Sequence, residues 1–104
     1  MSLSEAMIRF NFEKAKQQAN QLDQIAGGIF RLASQEFTDS MQTISVNWKG
    51  ENASAYLRKG DNLRCDMEDT AGQLRKIAAE IRAVAKRLYD AEMAALEILN
   101  TKNY

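Results

Sequence analysis

The sequence predicts an all-α protein: an antiparallel helix-turn-helix hairpin that dimerises into a four-helix bundle. Three observations carry this expectation. Apolar residues recur at helical steps of three and four along almost the whole chain, instead of alternating every second residue as a strand would. One short interruption near the middle holds the only Trp, followed two residues later by a Gly. The 104 residues include no Pro and are 45% hydrophobic, enough for the core of one domain and too short for two.

The first stripe starts at Ile8 and continues through Phe12, Ala15, Ala19, Leu22, Ala26, Ile29 and Ala33. It then takes an extra step of four through Phe37 and Met41 before reaching Ile44. Polar residues such as Glu13, Lys16, Gln17, Asn20 and Asp23 fill the gaps, so one helix is expected from about residue 6 to about 44. The second stripe is more regular. It comprises Ala53, Tyr56, Gly60, Leu63, Met67, Thr70, Leu74, Ile77, Ile81, Val84, Leu88, Ala91, Ala95 and Ile98. Leu57, Ala71, Ala78, Ala85 and Leu99 widen it beyond a narrow coiled-coil seam, as in a bundle where each helix touches two neighbours. A helix from about 52 to about 99 follows, with a mobile tail at 100–104 ending in Tyr104.

Between the stripes lies Ser45-Val46-Asn47-Trp48-Lys49-Gly50-Glu51-Asn52. Ser45 and Asn47 favour caps and turns, Gly50 can end a helix at positive φ, and Glu51 or Asn52 suits the start of the next. A turn at about 45–51 forces the arms to fold back on one another. At ~1.5 Å per residue they would be roughly 55 and 70 Å long. Two such helices bury one stripe each and leave the rest of a wide apolar face in water, which marks an interface. A second hairpin would cover it. The expected dimer interface is Leu63, Met67, Leu74, Ile77, Ile81, Val84 and Leu88.

Composition narrows the function. Fourteen basic residues balance fourteen acidic ones, five against five through Lys49 and nine against nine after it, so a polybasic nucleic-acid binder is disfavoured. The chain has no His and a single Cys. The usual neutral-pH acid/base, a hydrolase triad, an intramolecular disulfide and a Cys-based zinc site are all missing. No enzyme, catalytic residue, cofactor or metal is expected. The first ten residues lack the basic and apolar regions of a Sec signal peptide, and no stretch approaches ~18 consecutive apolar residues, so no stable membrane insertion is expected.

Several local features admit two readings. Trp48 and Gly50 either close the bundle end or form a recognition epitope there. Tyr89, with Asp90 and Glu92 after it, is either a helix flank or an exposed signal. Gly27-Gly28 costs about 1 kcal/mol per residue relative to Ala, so it marks a close helix approach or a hinge. Without a strand before it, it is no phosphate loop. Arg82, Lys86 and Arg87, flanked by Glu80 and Asp90, read as a solvated face. Asp66, Glu68 and Asp69 read as exposed carboxylates with nothing to raise a pKa. Cys65 lies off the stripe and reads as an incidental thiol.

A hairpin of this length with Trp-x-Gly at its middle turn resembles the WXG-100 family of small secreted bacterial proteins. The match is closest over Val46-Asn47-Trp48-Lys49-Gly50-Glu51-Asn52-Ala53-Ser54-Ala55-Tyr56, where Ala55-Tyr56 fits the family's alanine-aromatic pair. By architecture it covers nearly the whole chain. The resemblance implies synthesis in the bacterial cytoplasm and export, without a Sec signal, as a folded dimer through a type VII (ESX-like) secretion system. It implies as partners a second or related helical hairpin (homodimer or heterodimer), the secretion-system ATPase, and a larger toxin substrate travelling the same route. Trp48 and Gly50 carry over as the turn motif. The family's export signal is Tyr followed four residues later by Asp or Glu; here Met93 stands at that spacing and Glu92 comes one residue early. Tyr89 and Glu92 are the corresponding residues. Two other classes stay open beside this one: a cytoplasmic adaptor or chaperone for a larger helical partner, and a membrane-active amphipathic hairpin.

Overall fold

A computed structural model of the chain describes residues 3–102. The described residues are helical except at one tight turn: α1 spans Leu3–Arg31, a π-helical segment Leu32–Phe37, α2 Thr38–Asn47 and α3 Glu51–Lys102. The result is an all-α helical hairpin, with α1, the π segment and α2 forming the first arm and α3 the second.

The turn is narrower than its residue types suggest. Ser45, Val46 and Asn47 stay helical, and the polar side chains of Ser45 and Asn47 bond backwards into the helix instead of outwards into a loop. Ser45 Oγ donates to the Gln42 carbonyl at 2.7 Å, and Asn47 Nδ2 to the Thr43 carbonyl at 2.9 Å. The Trp48 N–H closes the last turn on the Ile44 carbonyl at 2.8 Å. Lys49 Nζ then takes the Ser45 carbonyl at 3.1 Å, satisfying one more acceptor left over at the helix end. Trp48 is extended, with φ −129° and ψ 119°, and Gly50 has φ 112°. The cap of α3 is Gly50 rather than Glu51 or Asn52, since its carbonyl accepts the Ser54 N–H at 3.0 Å. Glu51 fills the first position of α3, where its charge complements the helix dipole.

At the other end the expected tail begins later. Asn100, Thr101 and Lys102 continue α3, because no Gly or Pro stops it and Thr101 Oγ1 donates to the Glu97 carbonyl at 2.8 Å. The remainder of that tail, Asn103 and Tyr104, lies outside the described residues.

The π segment stands where the first stripe takes its extra step of four. From Ala33 to Met41 two turns carry eight residues instead of seven. An unbroken α-helix would rotate Phe37, Met41 and Ile44 off the packed side, and a wider π turn absorbs the surplus residue. Thr38 Oγ1 reaches back five residues to the Ala33 carbonyl at 2.9 Å, giving that acceptor a partner.

The described residues form two compact units, one from residues 3–22 and 76–102 and the other from 23–75. In the first, Phe12 meets Tyr89 while Asn20 meets Arg82, so the two helical segments run antiparallel. In the second, Gly27 lies by Arg75 and Met41 packs over Gly60, again antiparallel. The buried apolar residues are all alanines: Ala19, Ala78 and Ala85 in the first unit, and Ala26, Ala33, Ala53 and Ala71 in the second. Small side chains let helices approach closely, but they bury little apolar surface. Many of the large apolar side chains remain outside.

Candidate functional site: the aromatic turn and the apolar flank of α3

Within the unit 23–75, the turn presents an aromatic pair. Trp48 and Tyr56 have ring centroids 5.8 Å apart at an interplanar angle of 56°, and they stay 48% and 53% exposed. Positive φ at Gly50 directs the chain from the extended Trp48 straight into α3, which brings Tyr56, one and a half turns on, back to the Trp ring. Next to this pair lies a groove of about 290 Å³ lined mainly by Phe37, Met41, Ile44, Tyr56, Gly60 and Leu63. The end of the Met41 side chain lies over Gly60 as the floor, where a Cβ would collide with it. Of the expected interface residues in this unit, Leu63 is exposed while Met67 and Leu74 are half-buried.

The unit 3–22 with 76–102 carries the other four. Ile77, Val84 and Leu88 are exposed and Ile81 is half-buried. They line an apolar groove of about 360 Å³ together with Ala15, Ala85 and Glu80. The physical reason for their exposure is that α3 turns its alanines, Ala78 and Ala85, toward the first arm, and the larger residues of the stripe fall to the side.

Tyr89 sits in the same unit and is half-buried. Its ring stacks on Phe12 at 4.7 Å and 29°. The Arg9 guanidinium lies 6.0 Å from the Tyr89 ring centroid and pairs with Glu5 at 3.1 Å, while Lys16 lies 4.8 Å over Phe12. Glu92 is exposed and borders a small groove of about 80 Å³ with Tyr89, Ile8, Asn11 and Leu88. The sequence singles out Tyr89 but not Phe12 as its partner, although Phe12 belongs to the first stripe and Tyr89 lies beside the second.

Other singled-out features are accounted for locally. Arg82 donates to Asn20 Oδ1 at 2.8 Å and Lys86 pairs with Asp90 at 2.7 Å. Arg64 holds Asp61 and Glu68 at 2.8 and 3.0 Å. Its guanidinium is kept above its ordinary pKa, first by the hydrogen bond to Asp61, then by the charges of Asp61, Cys65 and Glu68. Cys65 is exposed. Gly28 makes no close approach within the chain, since a Cβ there would meet nothing within 4 Å. Among the described residues, no group of three His, Cys, Asp or Glu comes together to hold a metal, and no helix is long and apolar enough to cross a membrane. No protein-family model, curated protein or solved structure matches this chain.

Proposed function

We propose that this chain is a small bacterial protein exported as a folded dimer by a type VII (ESX-like) secretion system, as a secreted effector or as the export partner of a larger toxin substrate. The supporting observation is the turn. Trp48-Lys49-Gly50 joins two long helical arms, holds Gly50 at φ 112° and displays Trp48 against Tyr56 at the surface. A half-exposed aromatic pair formed by a short turn and the helix after it is a ready recognition element, with large rings and few side-chain torsions to order on binding.

The alanine cores support dimerisation. Burying alanines yields far less than the ~1.5–3 kcal/mol available from each large aliphatic side chain. A second or related hairpin laid on Leu63, Met67, Leu74, Ile77, Ile81, Val84 and Leu88 would recover that surface and close a four-helix bundle. Tyr89 and Glu92 would act with the turn in recognition by the secretion ATPase.

The test is export from a producing strain. Trp48→Ala should lower the amount in the culture medium while leaving helicity and assembly inside the cell nearly intact. Undiminished secretion from a strain lacking the secretion ATPase would remove the type VII reading. A cytoplasmic adaptor for a larger helical partner is the second reading, favoured by the same open apolar grooves on α3. It predicts no secretion and stable co-purification with that partner.

A further inference from the structure

The first arm holds one residue more than a regular heptad repeat needs, and the π segment Leu32–Phe37 is where the surplus stands. A bulge of this kind can occupy any turn at which the apolar stripes before and after it join. In the observed position the packed stripe reads Ala26, Ile29, Ala33, Phe37. With the bulge about one turn nearer the N-terminus, the stripe that follows it extends back from Phe37 through Ser34 and Phe30 to Ala26.

The sequence is doubled where this exchange would occur. Ile29 is followed by Phe30, and Ala33 by Ser34. Ala33 is buried and Ile29 half-buried, while Phe30 is 45% exposed. Turning Phe30 in and Ile29 out trades comparable apolar areas, so the two registers lie close in free energy. Ser34 brings no orphan donor inward, because its hydroxyl already donates to the Phe30 carbonyl at 2.8 Å. The two glycines of the turn before it leave room around the backbone: a Cβ on Gly28 would touch nothing within 4 Å, and one on Gly27 only the tips of Arg31 and Arg75.

The doubling stops on both sides. Moving the bulge toward Trp48 would bring Glu36, Ser40 and Thr43 into the stripe in place of Phe37, Met41 and Ile44. Moving it past Leu22 would bring in Asp23 and Asn20 in place of Leu22 and Ala19. We infer that the π turn is a bounded shuttle: its extra residue moves between two positions within 22–37 and turns residues 29–34 about the arm axis by one residue, about 100°. One position shows Phe30 to the outside and the other shows Ile29. The inference stands apart from the export reading.

A double-variant cycle on the full chain tests it, read by thermal unfolding at fixed protein concentration. Ile29→Asp bars the observed register and drives Phe30 inward; Phe30→Asp bars the other and leaves the observed one. Each single variant keeps one usable register and should lose only a few degrees of Tm. The double variant has none, and its loss should far exceed the sum. Deleting Glu36 removes the surplus residue and gives an unbroken three-four repeat. In that background nothing can move, so Ile29→Asp should be as damaging as the pair, and the coupling should vanish. Additive losses in the native chain, an Ile29→Asp variant that melts as low as the double, or coupling that persists after deletion of Glu36 would each overturn the shuttle.

Discussion

Arm α3 keeps steps of three and four from Ala53 to Ile98 and remains one helix from Glu51 to Lys102, whereas the first arm adds a residue after Ala33 and divides into α1, a π turn and α2. Intrinsic propensity does not explain the contrast. The unbroken α3 contains Gly60, Thr70 and Gly72, each a weak helix former. The divided stretch Leu32–Phe37 contains neither Gly nor Pro. What differs is the period of the apolar stripe. The backbone gives up regular hydrogen bonding for one turn so that Phe37, Met41 and Ile44 stay on the packed side. Side-chain register outweighs backbone regularity in this protein.

The largest effect is expected where α3 leaves its stripe uncovered. Ile81 lies half-buried in the groove formed with Ile77, Val84 and Leu88. If a second hairpin covers that groove, Ile81→Asp places a charge in the contact and should cost several kcal/mol, comparable with a small bundle's whole stability. Sedimentation should then show dissociation and circular dichroism a much lower Tm. An unchanged assembly with the native Tm would place the interface elsewhere.

Packing between the arms sets the next effect. Ala78 is fully buried, and Ala78→Leu forces extra volume between closely approaching helices, at about 1–3 kcal/mol. The same enlargement at exposed Ala79, one residue on, should be nearly silent. Thermal melts of the two variants separate the seam of α3 from its outer face. Equal melting would mean that α3 is not held to the first arm through its alanines.

The junction of the arms comes third. Gly50 has φ 112°, a conformation that L residues rarely adopt. Gly50→Ala should cost about 1–3 kcal/mol from backbone conformation alone, with helix content preserved outside the turn. A variant as stable as the native chain would show that the turn relaxes freely around Trp48.

These contrasts also show what could be read in advance. Helical type, the pair of arms and the turn at Trp48-Lys49-Gly50 were legible because each rests on local period or on Gly. The extra step from Ala33 to Phe37 was visible too, but a step count does not say whether a kink, a rotation or a π turn absorbs it. Helix limits were misjudged at Ser45, Asn47 and Thr101, where side chains bond to their own helix and mimic caps only in composition. Which alanines form the core was hidden, since a wide stripe permits several facing directions. Tyr89 could be picked out by its neighbours in sequence, but not its stacking on Phe12, a contact that only packing creates.

The smallest effect compares two glycines inside α3. A Cβ added at Gly72 meets nothing within 4 Å, while one added at Gly60 collides with the end of Met41. Both replacements by Ala gain helix propensity of about 1 kcal/mol, part of it from a less flexible unfolded chain. Gly72→Ala should therefore raise Tm by several degrees, since ~1 kcal/mol corresponds to roughly 4–8 °C in a domain of this size. Gly60→Ala should gain less, because the thioether must swing out of the groove beside Tyr56. Met is flexible enough to do so without unfolding the turn, and the shortfall between the two variants measures how firmly Met41 is held. If Gly60→Ala gains as much as Gly72→Ala, the Met41 side chain is loose and the groove has no fixed floor. If Gly72→Ala loses stability instead, its open face is covered by a partner in the assembled protein.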